Sequence, residues 1–136
     1  MTNQTSGALQ PGQVGTASLV VTEAHLAPAL GSGRAPVFAT PAMVALIEAA
    51  AVACVEDQLA QGQETLGIHI DVEHIAATPA GLTVTATAEL IEVSGRKLVF
   101  KVESRDGREL IGRGRHTRIV VDAARFRAKA AAKLPG

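Results

Sequence analysis

At 136 residues, 47% hydrophobic and 19% charged, the chain fits a single domain built on one core. Its 13 basic and 13 acidic side chains cancel, and it has no Trp, no Tyr and only three Phe. A surface for polyanions and a platform for stacking bases are thereby excluded, so no nucleic-acid partner is expected. The one cysteine, Cys54, has no intrachain partner and sits among Val52, Ala53 and Val55. It reads as an inert core residue of a cytoplasmic protein.

Residues 1–15 are polar and Gly-rich, with neither a basic n-region nor an apolar h-region. They read as a loose tail, and residues 16–136 as the domain. Thr16 to Thr22 predicts a first strand. Pro28 and the Gly31-Ser32-Gly33 cluster then mark an irregular loop. At Thr40-Pro41 a helix start is signalled, since Thr can cap and Pro tolerates the first turn. Met43, Val44, Ile47, Ala51, Val55 and Leu59 recur at helical spacing, which predicts a helix over Pro41–Leu59 ending at Gly62. This run is the one membrane candidate. Its central Glu48 and its Thr-Pro argue against a span, so no membrane partner is expected.

Beyond Gly62 the period becomes two. Leu66, Ile68, Ile70 and Val72 predict one strand face, with His69, Asp71 and Glu73 opposite. Leu82 to Leu90, Leu98 to Val102 and Leu110 to Val121 predict three further strands, with turns at Ser94-Gly95 and Asp106-Gly107. Asp122 is placed to cap a short basic helix reaching Lys133. One long apolar helix and four closely connected strands predict an α+β fold, with an antiparallel meander against the helix. A single helix leaves sheet edges uncovered, so pairing into a homodimer is expected. Val99, Ile111 and Ile119 offer an outer apolar face on which a tetramer could form.

Glu48 is the only charged residue between Ala35 and Val55. A carboxylate in apolar surroundings costs several kcal/mol unless paired, hydrogen-bonded or neutralised. Carboxylates in such places are often the ones that do acid–base work. A wet helix edge or a structural hydrogen bond explains it equally well. His74, counted in twos from Leu66, falls on the apolar face and so points at the helix carrying Glu48, provided no bulge intervenes. Taken singly, it is a core histidine satisfied by a carbonyl. Together with Thr40 and Glu48 it makes a hydroxyl, a carboxylate and an imidazole converging on an apolar region, a set that activates water or a hydroxyl in acyl transfer. His25, His69, Asp71 and Glu73 have no metal-binding spacing, and no metal or separate cofactor is expected.

The segments VFATPAMVALIEAAAV, TLGIHIDVEHIAATPAGLTVTATAEL and IGRGRHTRIVV resemble the fluoroacetyl-coenzyme A thioesterase-like branch of the hotdog superfamily. The most specific pieces are Val37-Phe38-Ala39-Thr40 with Glu48 eight residues on, and the stretch from His74 to Gly81. The resemblance implies a hotdog fold, a curled antiparallel sheet around one central helix. It also implies hydrolysis of an acyl-coenzyme A thioester by a homodimer with shared sites. Thr40, Glu48 and His74 fall on the family's catalytic residues. Gly67 falls on a glycine whose N–H approaches the thioester carbonyl, and Arg118 on an arginine of the site. Phe38 joins them as a substrate contact. Without the resemblance, Gly67 reads as a bulge or a close helix contact and Arg118 as a surface ion pair. His116 reads as an ordinary sheet residue.

One stretch departs from the pattern. Leu30 to Pro36 lacks the aromatics that stand before the threonine in the fluoroacetyl-specific branch, so a less selective mouth is expected. Two rivals remain: a non-catalytic module that binds acyl thioesters, and an enoyl-thioester hydratase. The hydratase would want an Asp and a His at the helix start, and no such motif is evident.

Overall fold

A computed structural model describes residues 9–136; the expected tail lies, for its first eight residues, outside the described part. Strand β1 (Val14–Val20) is followed by a single helical turn, α1 (Ala27–Leu30), and the long helix α2 (Thr40–Val55). Then come β2 (Gln63–His74), β3 (Thr83–Ser94), β4 (Lys97–Arg105), β5 (Leu110–Asp122) and the terminal helix α3 (Ala123–Ala131), capped by the Asp122 side chain. The antiparallel sheet runs in the order β1-β3-β4-β5-β2 and curls around α2, the hotdog arrangement.

That order corrects the expected meander. Strands β3, β4 and β5 are hairpin-linked, but among the described strands β2 pairs with β5 alone, at the far edge. The link from Ile75 to Leu82 is not a tight turn. It spans the ends of two intervening strands, a gap of roughly 14 Å that several extended residues bridge easily.

Buried Met43, Leu46, Ile47, Ala50, Ala51, Cys54 and Val55 join α2 to the inner face made by Val84, Ala86, Ala88, Leu90, Leu98, Phe100 and Val102. The helix lies over β1 and β3. Gly15 lets β1 come close: a Cβ there would run into the backbone of Ala50 and Cys54. Burial pushes the Cys54 thiol up, and its Sγ–H donates to the Gln13 carbonyl at 3.3 Å. Residues just before β1 are likewise attached, through the Gly12 N–H to the Leu90 carbonyl at 2.8 Å.

On α2, Ala45, Ala49 and Ala53 form an exposed stripe at fourth-residue spacing. One expectation about apolar faces changes. Ile111 does not belong to the outer face. The pairing slips between Ser104 and Arg105, which turns Ile111 into the core at 0% exposure, while Val99 and Ile119 stay half-buried outside.

Candidate active site

Strand β2 does not alternate as its apolar residues suggest. Its register against β5 slips between Gly67 and His69, which leaves Ile68 as a bulge with 55% exposure. The phase changes there. Leu66 aligns with Ile119 on the outer face, whereas Gly67 aligns with Arg118 and faces inward. Beyond the bulge Ile70, Val72 and His74 face inward, aligned with His116, Gly114 and Gly112. His74 therefore reaches the inner face, but not by the expected count: a bulge does intervene, and Leu66 and Ile68 do not share that face.

At the start of α2, Thr40 does not cap the helix. Ala39 occupies the cap position, and no side chain bonds to the first turn among the described residues. The Thr40 hydroxyl instead meets His74 Nδ1 at 2.8 Å. Buried Phe38 braces that imidazole edge-on, its ring centre 6.5 Å away. His74 Nε2 is buried with no hydrogen-bond partner among the described residues. Burial lowers the His74 pKa below its ordinary 6.5, opposed more weakly by the Ala76 backbone. The ring is thus neutral near pH 7 and has one nitrogen to offer.

The stretch after His74 locks this corner. Thr78, fully buried, donates its hydroxyl to Asp106 Oδ2 at 2.8 Å, and its carbonyl accepts the Phe38 N–H at 2.8 Å. Burial raises the Asp106 pKa, but the Arg108 N–H, the Thr78 hydroxyl and the Glu109 N–H outweigh it and hold the group below its usual value. The conspicuous Thr-Pro-x-Gly stretch is therefore a brace rather than a reacting group.

Glu48 sits elsewhere. Eight residues of helix separate it from Thr40 by roughly 12 Å along the axis. Its side chain is 41% exposed; its carboxylate accepts from Arg118 Nη1 at 3.3 Å, and His116 Nε2 lies 3.9 Å away. Of the two readings of Glu48, the structure favours the paired carboxylate on a wet helix edge over the desolvated one. Arg118 is no surface residue: it is buried, and it also donates to the Thr65 hydroxyl at 2.9 Å, the Thr65 carbonyl at 3.0 Å and His116 Nε2 at 3.1 Å. Since Nε2 accepts from a guanidinium, His116 carries its proton on Nδ1 and donates it to the His69 carbonyl at 2.8 Å. Burial, and secondarily the Arg118 charge, keeps the His116 pKa low.

Gly67 completes this group. A Cβ at that position would lie 2.5 Å from Glu48 Oε2 and 3.0 Å from the His116 ring. Only glycine leaves the carboxylate uncovered. Sequence reasoning missed His116, although a signal existed. Gly112, Gly114, His116, Arg118 and Val120 share one phase of β5, so small and polar residues occupy a face that should be apolar.

The six matched residues thus form two groups: Thr40, His74 and Phe38 at the mouth of α2, and Glu48, Arg118 and Gly67, with His116, at its middle. Gly67 and His74 stand roughly 20 Å apart along β2. Among the described residues there is no cluster of three or more His, Cys, Asp or Glu side chains placed to hold a metal.

Residues 21–124 match the family model described as fluoroacetyl-CoA-specific thioesterase, FlK. The chain belongs to that family. It is 48% identical over 99 residues to a fluoroacetyl-CoA thioesterase of Streptantibioticus cattleyicolor, an alignment covering 73% of this chain and 71% of the relative. The solved fluoroacetyl-CoA thioesterase FlK superposes with a TM-score of 0.89 at 40% identity, covering 94% of this chain and 99% of the other. A threonine-to-serine variant of FlK, solved in complex with acetyl-CoA, gives 0.88 at 39% identity, covering 93% and 100%.

Proposed function

We infer that the protein is a thioester hydrolase acting on acyl-coenzyme A, and we propose that its working site is shared between two copies of the chain. Family membership supports the chemistry. The split of the matched residues into two distant groups supports the sharing, and it is the observation that carries this reading.

Strand β2 is a free edge, 12 residues long, with Ile68 and Ile70 exposed beside it. Antiparallel pairing of two such strands about a twofold axis between Ile70 and Asp71 sets Gly67 of one copy opposite His74 of the other. It also covers the inner-face surface that α2 leaves bare near Glu48, and gives the Ala45–Ala49–Ala53 stripe a neighbour. A tetramer would use the outer face through Val99 and Ile119.

In the shared site, Glu48 of one copy attacks the thioester carbonyl or activates a water against it. The Gly67 N–H stabilises the oxygen as charge develops there. Arg118 fixes the carboxylate's direction. The neutral His74, held by Thr40, takes up the proton that water releases as it attacks, either the thioester or the acyl-Glu48, and hands it to the leaving thiolate. Phe38 keeps the imidazole in place. The reaction needs no cofactor beyond the coenzyme A in its substrate, and the buried Cys54 thiol suits a reducing, cytoplasmic setting.

The test is complementation. Glu48→Gln and His74→Ala are each assayed for thiol release, then co-refolded as a mixture. A shared site returns about a quarter of wild-type activity, because half the dimers are mixed and each carries one intact site. A site confined to one chain returns none. Coenzyme A thioester binding by wild type without any release would reject catalysis and leave a binding module.

A further inference from the structure

Beside Thr40 and His74 lies an open cavity of about 400 Å³. Its walls are small or apolar side chains, among them Ala27, Val37, Phe38 and Ala76, together with Ser32 and Gly33. Arg34 is the one formally charged side chain on the lining. It is exposed, and it makes no ion pair among the described residues.

The loop that carries Arg34 is stitched at its base. The Ala27 N–H donates to the Val37 carbonyl at 2.9 Å, the Ser32 N–H to the Ala27 carbonyl at 2.9 Å, and Leu26 bridges Phe38. A guanidinium on a short tethered loop is held near the mouth at reduced entropic cost, unlike a surface arginine on a long flexible segment. The chain's net charge is zero, so attraction of anions here is a local property of Arg34 and not of the whole protein.

Resting on the thioesterase reading above, we propose that Arg34 binds an anionic group of the substrate thioester and thereby selects substrates at this mouth. A planar fork of N–H donors on the lining of this cavity fits a carboxylate or a phosphate, not a neutral acyl tip. Two parts of an acyl-coenzyme A carry such groups: an acyl chain ending in a carboxylate, and the phosphates of the coenzyme. The cavity lies against the imidazole that serves the thioester, and its size suits a short acyl chain.

The experiment uses full-length wild type, Arg34→Gln and Arg34→Lys. Each is measured with butyryl and succinyl thioesters, on coenzyme A and on the phosphate-free carrier N-acetylcysteamine. KM comes from thiol release and Kd from calorimetry. Arg34→Gln is expected to weaken the anionic substrates about 10–100-fold, with Arg34→Lys between it and wild type. A loss confined to the succinyl thioesters on both carriers places the acyl carboxylate at Arg34. A loss confined to the coenzyme A thioesters, whatever the acyl group, places a phosphate there. Equal or absent effects across all four substrates overturn the proposal. Binding without turnover by wild type rejects the thioesterase reading alone, because Kd still reports on Arg34. Failure of wild type to bind any of the four rejects both.

Discussion

The mouth and the middle of α2 solve opposite problems. At its mouth, Thr40 and His74 are neutral groups joined by one hydrogen bond of 2.8 Å and steadied by the edge of Phe38. At its middle, Glu48 belongs to a charged network whose buried hub, Arg118, donates to Thr65, His116 and Glu48. The first group carries no charge, and its His74 Nε2 has no hydrogen-bond partner among the described residues. The second is expensive, because a buried guanidinium is tolerated only when its donors are matched. The network engages one oxygen of Glu48 with Arg118 and leaves the side chain partly in water, which is the arrangement the proposed attack requires.

The sharpest way to break the comparison is to cut each group and read activity and stability together. Glu48→Gln and His74→Ala are each expected to lower kcat by about 10²–10⁴-fold. Their stabilities should diverge. His74→Ala removes one neutral hydrogen bond and should cost about 1–2 kcal/mol. Arg118→Met leaves the buried His116 Nε2 without its donor and Glu48 without its counter-charge, and should cost about 2–4 kcal/mol, the largest stability loss of the set. Glu48→Gln, discounted because the carboxylate is partly exposed, should cost about 1 kcal/mol and not stabilise the fold. Denaturant melts beside thiol-release rates report both quantities. Equal losses for Arg118→Met and His74→Ala would erase the distinction.

Gly67→Ala tests how closely the second group is fitted. The new methyl meets the Glu48 carboxylate at 2.5 Å and must push it off Arg118. Displacement of about 1 Å at a reacting group can cost on the order of 10²-fold, so kcat should fall by about 10–100-fold. Circular dichroism should be unchanged, since Gly67 lies on an exposed edge strand. Full activity in this variant would remove Gly67 and the bulge beside it from the site.

How much of this could be read in the sequence follows the same division. The Thr40–His74 group was legible because Thr40 stands at a helix start and because Ile70, Val72 and His74 alternate regularly once past the bulge. The Glu48 group was not legible as a group. Period-two counting cannot see a one-residue bulge, and Ile68 looks like any core position. Only the slip it causes turns Gly67 inward beside Glu48. Arg118 and His116 read as surface and sheet residues because their partners come from β2, and the order of the strands was misjudged. The residues from Ile75 to Leu82 contain Pro79 and Gly81 and so resemble a turn. Nothing local says that they cross the sheet to bring β2 against β5.

Acidification separates the groups less strongly but tests both. Burial lowers the pKa of His74 and of His116 below 6.5. A lowered histidine pKa means that the unfolded chain takes up protons that the folded chain refuses. Stability is therefore complete above 6.5 and is lost progressively as pH falls through that value toward the folded pKa. The sign for catalysis runs the other way: His74 stays an unprotonated base further into acid, so the acid limb of kcat/KM should lie below 6.5. Removing His116 alone, as His116→Asn, should flatten the acid loss of stability and leave the kinetic limb in place. Movement of that limb would mean that His116, not His74, titrates in the reaction.

The smallest expected effect concerns Thr40. If its hydroxyl only orients His74, Thr40→Ser keeps the 2.8 Å bond to Nδ1 and should lower kcat no more than several-fold, since a lost methyl costs packing and a freer rotamer but no polar partner. Thr40→Val preserves the shape and strands Nδ1, so the imidazole loses its tautomer control and kcat should fall about 10–100-fold. The helix start should survive both changes, because Thr40 is not its cap and Pro41 keeps the first turn in place. A Thr40→Ser loss as large as that of Thr40→Val would show that the methyl's packing, and not the hydroxyl, positions His74. The neutral group would then be held by contact alone, and the contrast with the hydrogen-bonded network around Arg118 would be greater still.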